Sequence, residues 1–213
     1  WESDYGANAH LYNAPPDTVP GEFAVRLPGM GGAGTYALVT LPEEPRYGDT
    51  APVVVHVPGG WDGAGATSSG FGFTEHGFVE ITFNFPGSGV PAQRSAGTYD
   101  ERGPNCITAL AEVAQFALSE AADVYGYRLA DMTGELIPDA SNAGLCGWSN
   151  GGNATIVAAG AFAAELQNLA WIVNWESPVG DGMPNVDCGG NSRVNPAYEP
   201  ATGTFDWSLL AYS

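Results

Sequence analysis

The run Pro52–Val57 (PVVVHV) constrains this chain most. It is short, nearly all apolar and rich in β-branched residues, and it does not alternate. A strand with one face in water alternates apolar and polar side chains; a strand buried on both faces reads as a continuous apolar run. The run therefore asks for a mainly parallel sheet with both faces covered. The segments around it agree. Glu22–Leu27 and Thr35–Leu41 read as a hairpin across the turn of residues 28–34, which is rich in glycine. Phe78–Phe85 is a strand, preceded by a short helix over Phe71–Gly77. Cys106–Tyr125 is the clearest helix, with Ile107, Leu110, Ala111, Ala114, Ala117 and Leu118 at three- and four-residue spacing. Asp131–Asn142 reads as a polar turn region. Ala143–Trp148 is a strand, Asn150–Leu166 a helix of small residues, and Ala170–Trp175 another strand. Strands alternating with helices imply right-handed crossovers. In such sheets chemistry sits beyond the carboxyl ends of the strands.

The chain divides into an irregular, proline-rich arm (1–21), a core (22–176) and a loop-rich stretch (177–213) that reads as the start of an insertion or lid. It opens on Trp1, so a processed product or a fragment is expected. Within 213 residues, 44% apolar content supports one domain with a real core.

Charge narrows the partners. Asp and Glu number 24 against 6 basic residues, all of them Arg, and the net charge is -18. Nucleic acid needs clustered Lys and Arg to displace counterions, and six scattered arginines form no patch. An anionic membrane surface would repel the chain, and no apolar window is long enough to span a bilayer. An acid excess without lysine fits a salt-adapted protein, whose acids hold water; an ordinary acidic secreted protein is the alternative. The chain is expected outside the cell or at its surface.

The segment that carries chemistry is Gly147-Trp148-Ser149-Asn150-Gly151, a G-x-S-x-G. The pattern sets its Ser on a strained turn between a strand and a helix, with Oγ exposed over the sheet edge. Strand and helix are both predicted here. The helix N-terminus also brings N–H groups and a positive dipole end to that spot. The plainer alternative is a glycine-rich turn with an unreactive Ser. Val54-Val-His-Val-Pro-Gly-Gly-Trp61 is the second piece: a Gly-Gly step after a buried strand lets backbone N–H groups approach a bound carbonyl.

With these residues in view, the chain resembles the α/β-hydrolase superfamily from about Glu22 to Glu176. The resemblance runs through the hairpin, VVVHVPGGW, FVEITFNFPGSG, YDERGPNCITAL and GWSNGG. It is closest to the esterase and prolyl-oligopeptidase-like branch, as the N-terminal portion of that fold, with its last strands not recognisable here. The resemblance implies a serine hydrolase acting on a small ester or, less favoured, a peptide. Ser149 would be the nucleophile, with the N–H groups of Asn150 and of Gly60 or Trp61 as the oxyanion hole. Pro58 stands where the branch's HGGG motif has its His. No cofactor and no catalytic metal are implied.

The family's triad runs Ser, acid, His along the chain, but His10, His56 and His76 all precede Ser149. His56 falls inside the buried strand, His76 in a turn at the opposite sheet edge, and His10 in the arm. Glu176 ends a strand beside the elbow strand and is placed to face the site; Asp181, Asp187 and Asp206 follow. The missing base is expected from sequence beyond this chain or from a second chain. The alternative is an inert interaction module of hydrolase descent.

Three smaller readings complete the survey. Asp181–Asp187 spaces oxygen ligands as calcium loops do but lacks their full order and closing Glu, so a solvated acidic loop is preferred. Cys106 and Cys188 are open to pairing, while Cys146 packs as a small apolar group. The sequon Asn153-Ala-Thr155 falls on the helix beneath the elbow and is discounted.

Overall fold

A computed structural model describes residues 21–59, 71–177, 198–199 and 204–205. A six-stranded sheet, ordered β1-β2-β4-β3-β5-β6, organises them. Its strands are β1 (Glu22–Leu27), β2 (Thr35–Thr40), β3 (Thr50–Val57), β4 (Val79–Phe83), β5 (Ile137–Trp148) and β6 (Trp171–Trp175). The hairpin β1–β2 is antiparallel and joins β4 in the same sense; β4, β3, β5 and β6 are parallel. The mainly parallel α/β sheet with its N-terminal hairpin is as the sequence predicts. A two-residue pair, β7 (Tyr198–Glu199) with β8 (Thr204–Phe205), lies in the stretch expected to be loop.

Strand β3 is central, and its residues from Ala51 to Val57 are all buried. Alternation sends Val53, Val55 and Val57 to one face with Ile81, Phe83 and Leu145. There α1 (Pro104–Ala117) and α2 (Asn150–Ala161) lie against each other and against β3 and β5. Leu110 and Val113 of α1 and Ala154 and Ala158 of α2 close the core. The small residues of α2 let that helix approach the sheet closely.

The largest differences from the sequence reading are four. Helix α1 stops at Ala117, eight residues before Tyr125. Ser119 turns into the left-handed region at φ 55, and the Asp123 carboxylate then accepts from the N–H groups of Tyr125 and Tyr127, each at 2.9 Å. Strand β5 begins at Ile137, inside the expected turn. A register shift at Pro52/Val53 lets its first residues pair with Thr50–Pro52. Helix α2 ends at Ala161, and the expected helix at Phe71–Gly77 is a single 3-10 turn, Thr74–His76. The N-terminal arm, the calcium-like loop and Cys188 lie outside the described residues. Cys106 is a free, fully buried thiol, which burial pushes up to about 12. No described helix is long and apolar enough to cross a membrane.

Candidate active site

Strand β5 ends at Trp148 and α2 begins at Asn150, so Ser149 alone makes the turn between them. Its backbone sits at φ 53, ψ -124. A β-carbon makes that conformation costly, on the order of 1–3 kcal/mol. Two backbone bonds hold it there. The Ser149 N–H donates to the Trp175 carbonyl at 2.9 Å, and the Ser149 carbonyl accepts from Gly152 N–H at 2.9 Å. A Ser at a helix start usually caps it with its own hydroxyl; here the hydroxyl makes no such bond. The positive end of the α2 dipole therefore meets a side chain that the helix does not use.

The flanking glycines follow from contact. A β-carbon on Gly147 would sit 2.5 Å from the Gly151 carbonyl oxygen. One on Gly151 would run into the carbonyls of Val57 and Pro58. The start of α2 thus rests directly on the end of β3. Beyond it, Gly59 packs against the elbow: a β-carbon there would lie 2.7 Å from the Trp148 carbonyl oxygen and 3.0 Å from Ser149 Cβ. The Pro-Gly turn of β3 and the Ser turn of β5 therefore share one edge of the sheet, at the carboxyl ends of parallel strands. Buried Asn150 opens α2 at that edge; Gly60 and Trp61 lie outside the described residues.

The two described histidines stand elsewhere. His56 is 6% exposed on the face of β3 away from α1 and α2. Its ring meets Phe71 edge-on at 4.9 Å, and Glu80 Oε1 lies 3.9 Å from its Nδ1. Burial holds it down at about 4. His76 is exposed in the 3-10 turn before β4, at the opposite end of the sheet from Ser149. His10, Asp181, Asp187 and Asp206 lie outside the described residues. Glu176 follows β6 with φ 50, and its Oε2 accepts from the Trp148 indole N–H at 3.2 Å. No group of three or more His, Cys, Asp or Glu able to hold a metal occurs among the described residues. The sequon is structurally committed: Thr155 is fully buried, its hydroxyl 2.7 Å from both the Gly152 carbonyl and Asn174 Oδ1.

Two features of this edge escaped the sequence. One is the Trp148–Glu176 bond. The other is Arg102, which reaches the Pro58–Gly59 turn from the loop before α1. Both partners are far apart along the chain, and no local pattern marks them.

No family model matches the sequence, and no curated protein matches it. Solved structures do. A Mycobacterium tuberculosis puromycin-hydrolyzing peptidase matches 85% of this chain and 28% of its own, at 21% identity and TM-score 0.54. A Rhizomucor miehei esterase matches 83% of this chain and 50% of its own, at 16% identity and TM-score 0.52. A hypothetical protein from Pseudomonas aeruginosa matches 85% and 48%, at 16% identity and TM-score 0.54. The chain has the α/β-hydrolase fold, and its described strands are those of the fold's N-terminal portion. It spans between 28% and 50% of the length of these three structures.

Proposed function

We propose that this chain carries the nucleophile and the oxyanion hole of a serine hydrolase acting on a small carboxylic ester, with a peptide bond as the less favoured substrate. The observation that carries the reading is the conformation of Ser149. A strained residue persists only where its surroundings over-determine it, and such strain gathers at functional sites. Here the strain places a hydroxyl at the carboxyl ends of parallel strands, on a helix N-terminus, and leaves it out of the helix cap.

In the proposed step, Ser149 Oγ bonds to the substrate carbonyl carbon and its proton passes to a base. The oxyanion is held by the main-chain N–H of Asn150 and by that of Gly60 or Trp61. Collapse expels the alkoxide, which takes the proton from the base. Water then attacks the acyl-enzyme, and Ser149 regains its proton as the acid leaves. The base and its acid come from sequence beyond this chain or from a second chain, which also completes the sheet beyond β6. The acid-rich, lysine-free surface suits work outside the cell or at its surface, in a salty medium.

The position of the two described histidines favours one competing reading. His56 is buried on a sheet face and His76 stands at the far end. The fold would then serve as an inert interaction module. Ester turnover by the natural-length protein separates the two. Ser149→Ala should abolish it while leaving the melting temperature near that of the parent; retained turnover in that variant sinks Ser149 as nucleophile.

A further inference from the structure

We propose that Arg102 is a positioning residue for the oxyanion turn; the proposal rests on the serine-hydrolase reading above. One of its terminal nitrogens donates to the Pro58 carbonyl at 2.9 Å and reaches the Gly59 carbonyl at 3.4 Å. The other donates to the Tyr99 hydroxyl at 3.2 Å. The guanidinium carbon lies over the Phe85 ring, 3.9 Å from its centre. Phe85 is fully buried two residues past the end of β4, so the cation is braced against the core while it holds the turn.

Peptide geometry gives this contact a consequence at the site. In a trans peptide the C=O and the N–H of one plane point in opposite directions. A donor that holds the Pro58 carbonyl from one side fixes the Gly59 N–H on the other. Gly59 itself packs on Trp148 and Ser149. Arg102 therefore grips the turn immediately before Gly60 and Trp61, the residues from which the second proposed oxyanion donor comes. Preorganised donors contribute because they do not have to reorganise during the reaction.

The backbone supports this independently. Glu101 and Arg102 both lie in the left-handed region, at φ 63 and φ 73. This conformation penalises any residue with a β-carbon, by roughly 1–2 kcal/mol each. The chain has 30 glycines and sets two non-glycine residues here in succession. Glycine would relieve the strain and remove the guanidinium. A lysine would bring a point charge without the planar fork whose two arms meet the Pro58 carbonyl and the Tyr99 hydroxyl at once.

The test compares Arg102→Met, Arg102→Lys, Arg102→Ala and Ser149→Ala with the parent, in the natural-length protein, on a p-nitrophenyl ester. Arg102→Met should lower kcat by about tenfold to a hundredfold, the scale of a weakened oxyanion donor, with KM within about twofold. Arg102→Lys should fall between Met and the parent. Added guanidinium ion should restore part of the kcat of Arg102→Ala, whereas sodium chloride should not. A parent that turns over and an Arg102→Met variant with the same kcat overturn the role of Arg102 and leave Ser149 untouched. A parent that turns over no ester overturns the reading of Ser149, and this proposal with it. If Arg102→Met does not fold, Arg102→Lys decides: parental kcat there overturns the proposal.

Discussion

The indole N–H of Trp148 donates to Glu176 Oε2 at 3.2 Å, tying the last residue of β5 to the first residue after β6. The bond spans the turn that carries Ser149, whose own N–H is held by Trp175. It also occupies one oxygen of the acid that the sequence singles out beside the site. Glu176 is exposed, so its contribution to stability is small, about 1 kcal/mol or less. Trp148→Phe keeps an aromatic ring, though a smaller one, and removes the donor. It should leave the melting temperature within a few degrees of the parent; a large drop in a thermal melt would show that the bond carries more of the fold than its exposure allows.

Gly151 is a steric requirement of the site. A β-carbon there meets the Val57 and Pro58 carbonyls, which are backbone and cannot swing away. Gly151→Ala should destabilise the protein by more than about 2 kcal/mol, the scale of an overpacked core. Urea unfolding reads this directly. An unchanged midpoint would mean that α2 does not rest on β3 as described.

His56 should make stability fall in mild acid. Its folded value, about 4, lies below the ordinary 6.5 because burial disfavours the charged ring. Below 6.5 the unfolded chain binds a proton that the folded chain refuses. Stability is therefore full above 6.5, declines as pH falls toward 4, and levels off below. The loss attributable to this residue is about 3 kcal/mol. Glu80 on β4 and Cys146 on β5 face the same ring. His56→Phe should flatten the slope between pH 6.5 and 4 in an unfolding series. A slope that survives would assign it to other groups.

The net charge of -18 predicts a salt response of the whole chain. Screening at molar ionic strength shortens the Debye length to about 3 Å and relieves repulsion between exposed carboxylates. The melting temperature should rise from dilute buffer to molar potassium chloride. A flat or falling profile would remove the support for salt adaptation.

Much of the architecture was legible because its signals are local. Pro52–Val57 announces a central strand by having no polar face but one His. The elbow is legible because two glycines bracket a Ser between strand and helix. What was not legible depends on distant partners. The stretch Ile137–Asn142 carries Pro, Asp, Ser and Asn, which spell a turn, yet pairing with β3 across a register shift draws it into β5. Leu118-Ser-Glu-Ala-Ala has no helix breaker, so the end of α1 is set by Ser119 and the Asp123 turn instead. Arg102 lies in the loop before α1, and the carbonyls it holds are 43 and 44 residues away.

The most direct measurement is labelling with a fluorophosphonate, followed by peptide mapping of the natural-length protein. Ser149 as an activated nucleophile predicts one adduct, on the peptide containing Gly147–Gly151, and none in Ser149→Ala. No adduct on the folded parent, or an adduct elsewhere that persists in Ser149→Ala, would contradict it.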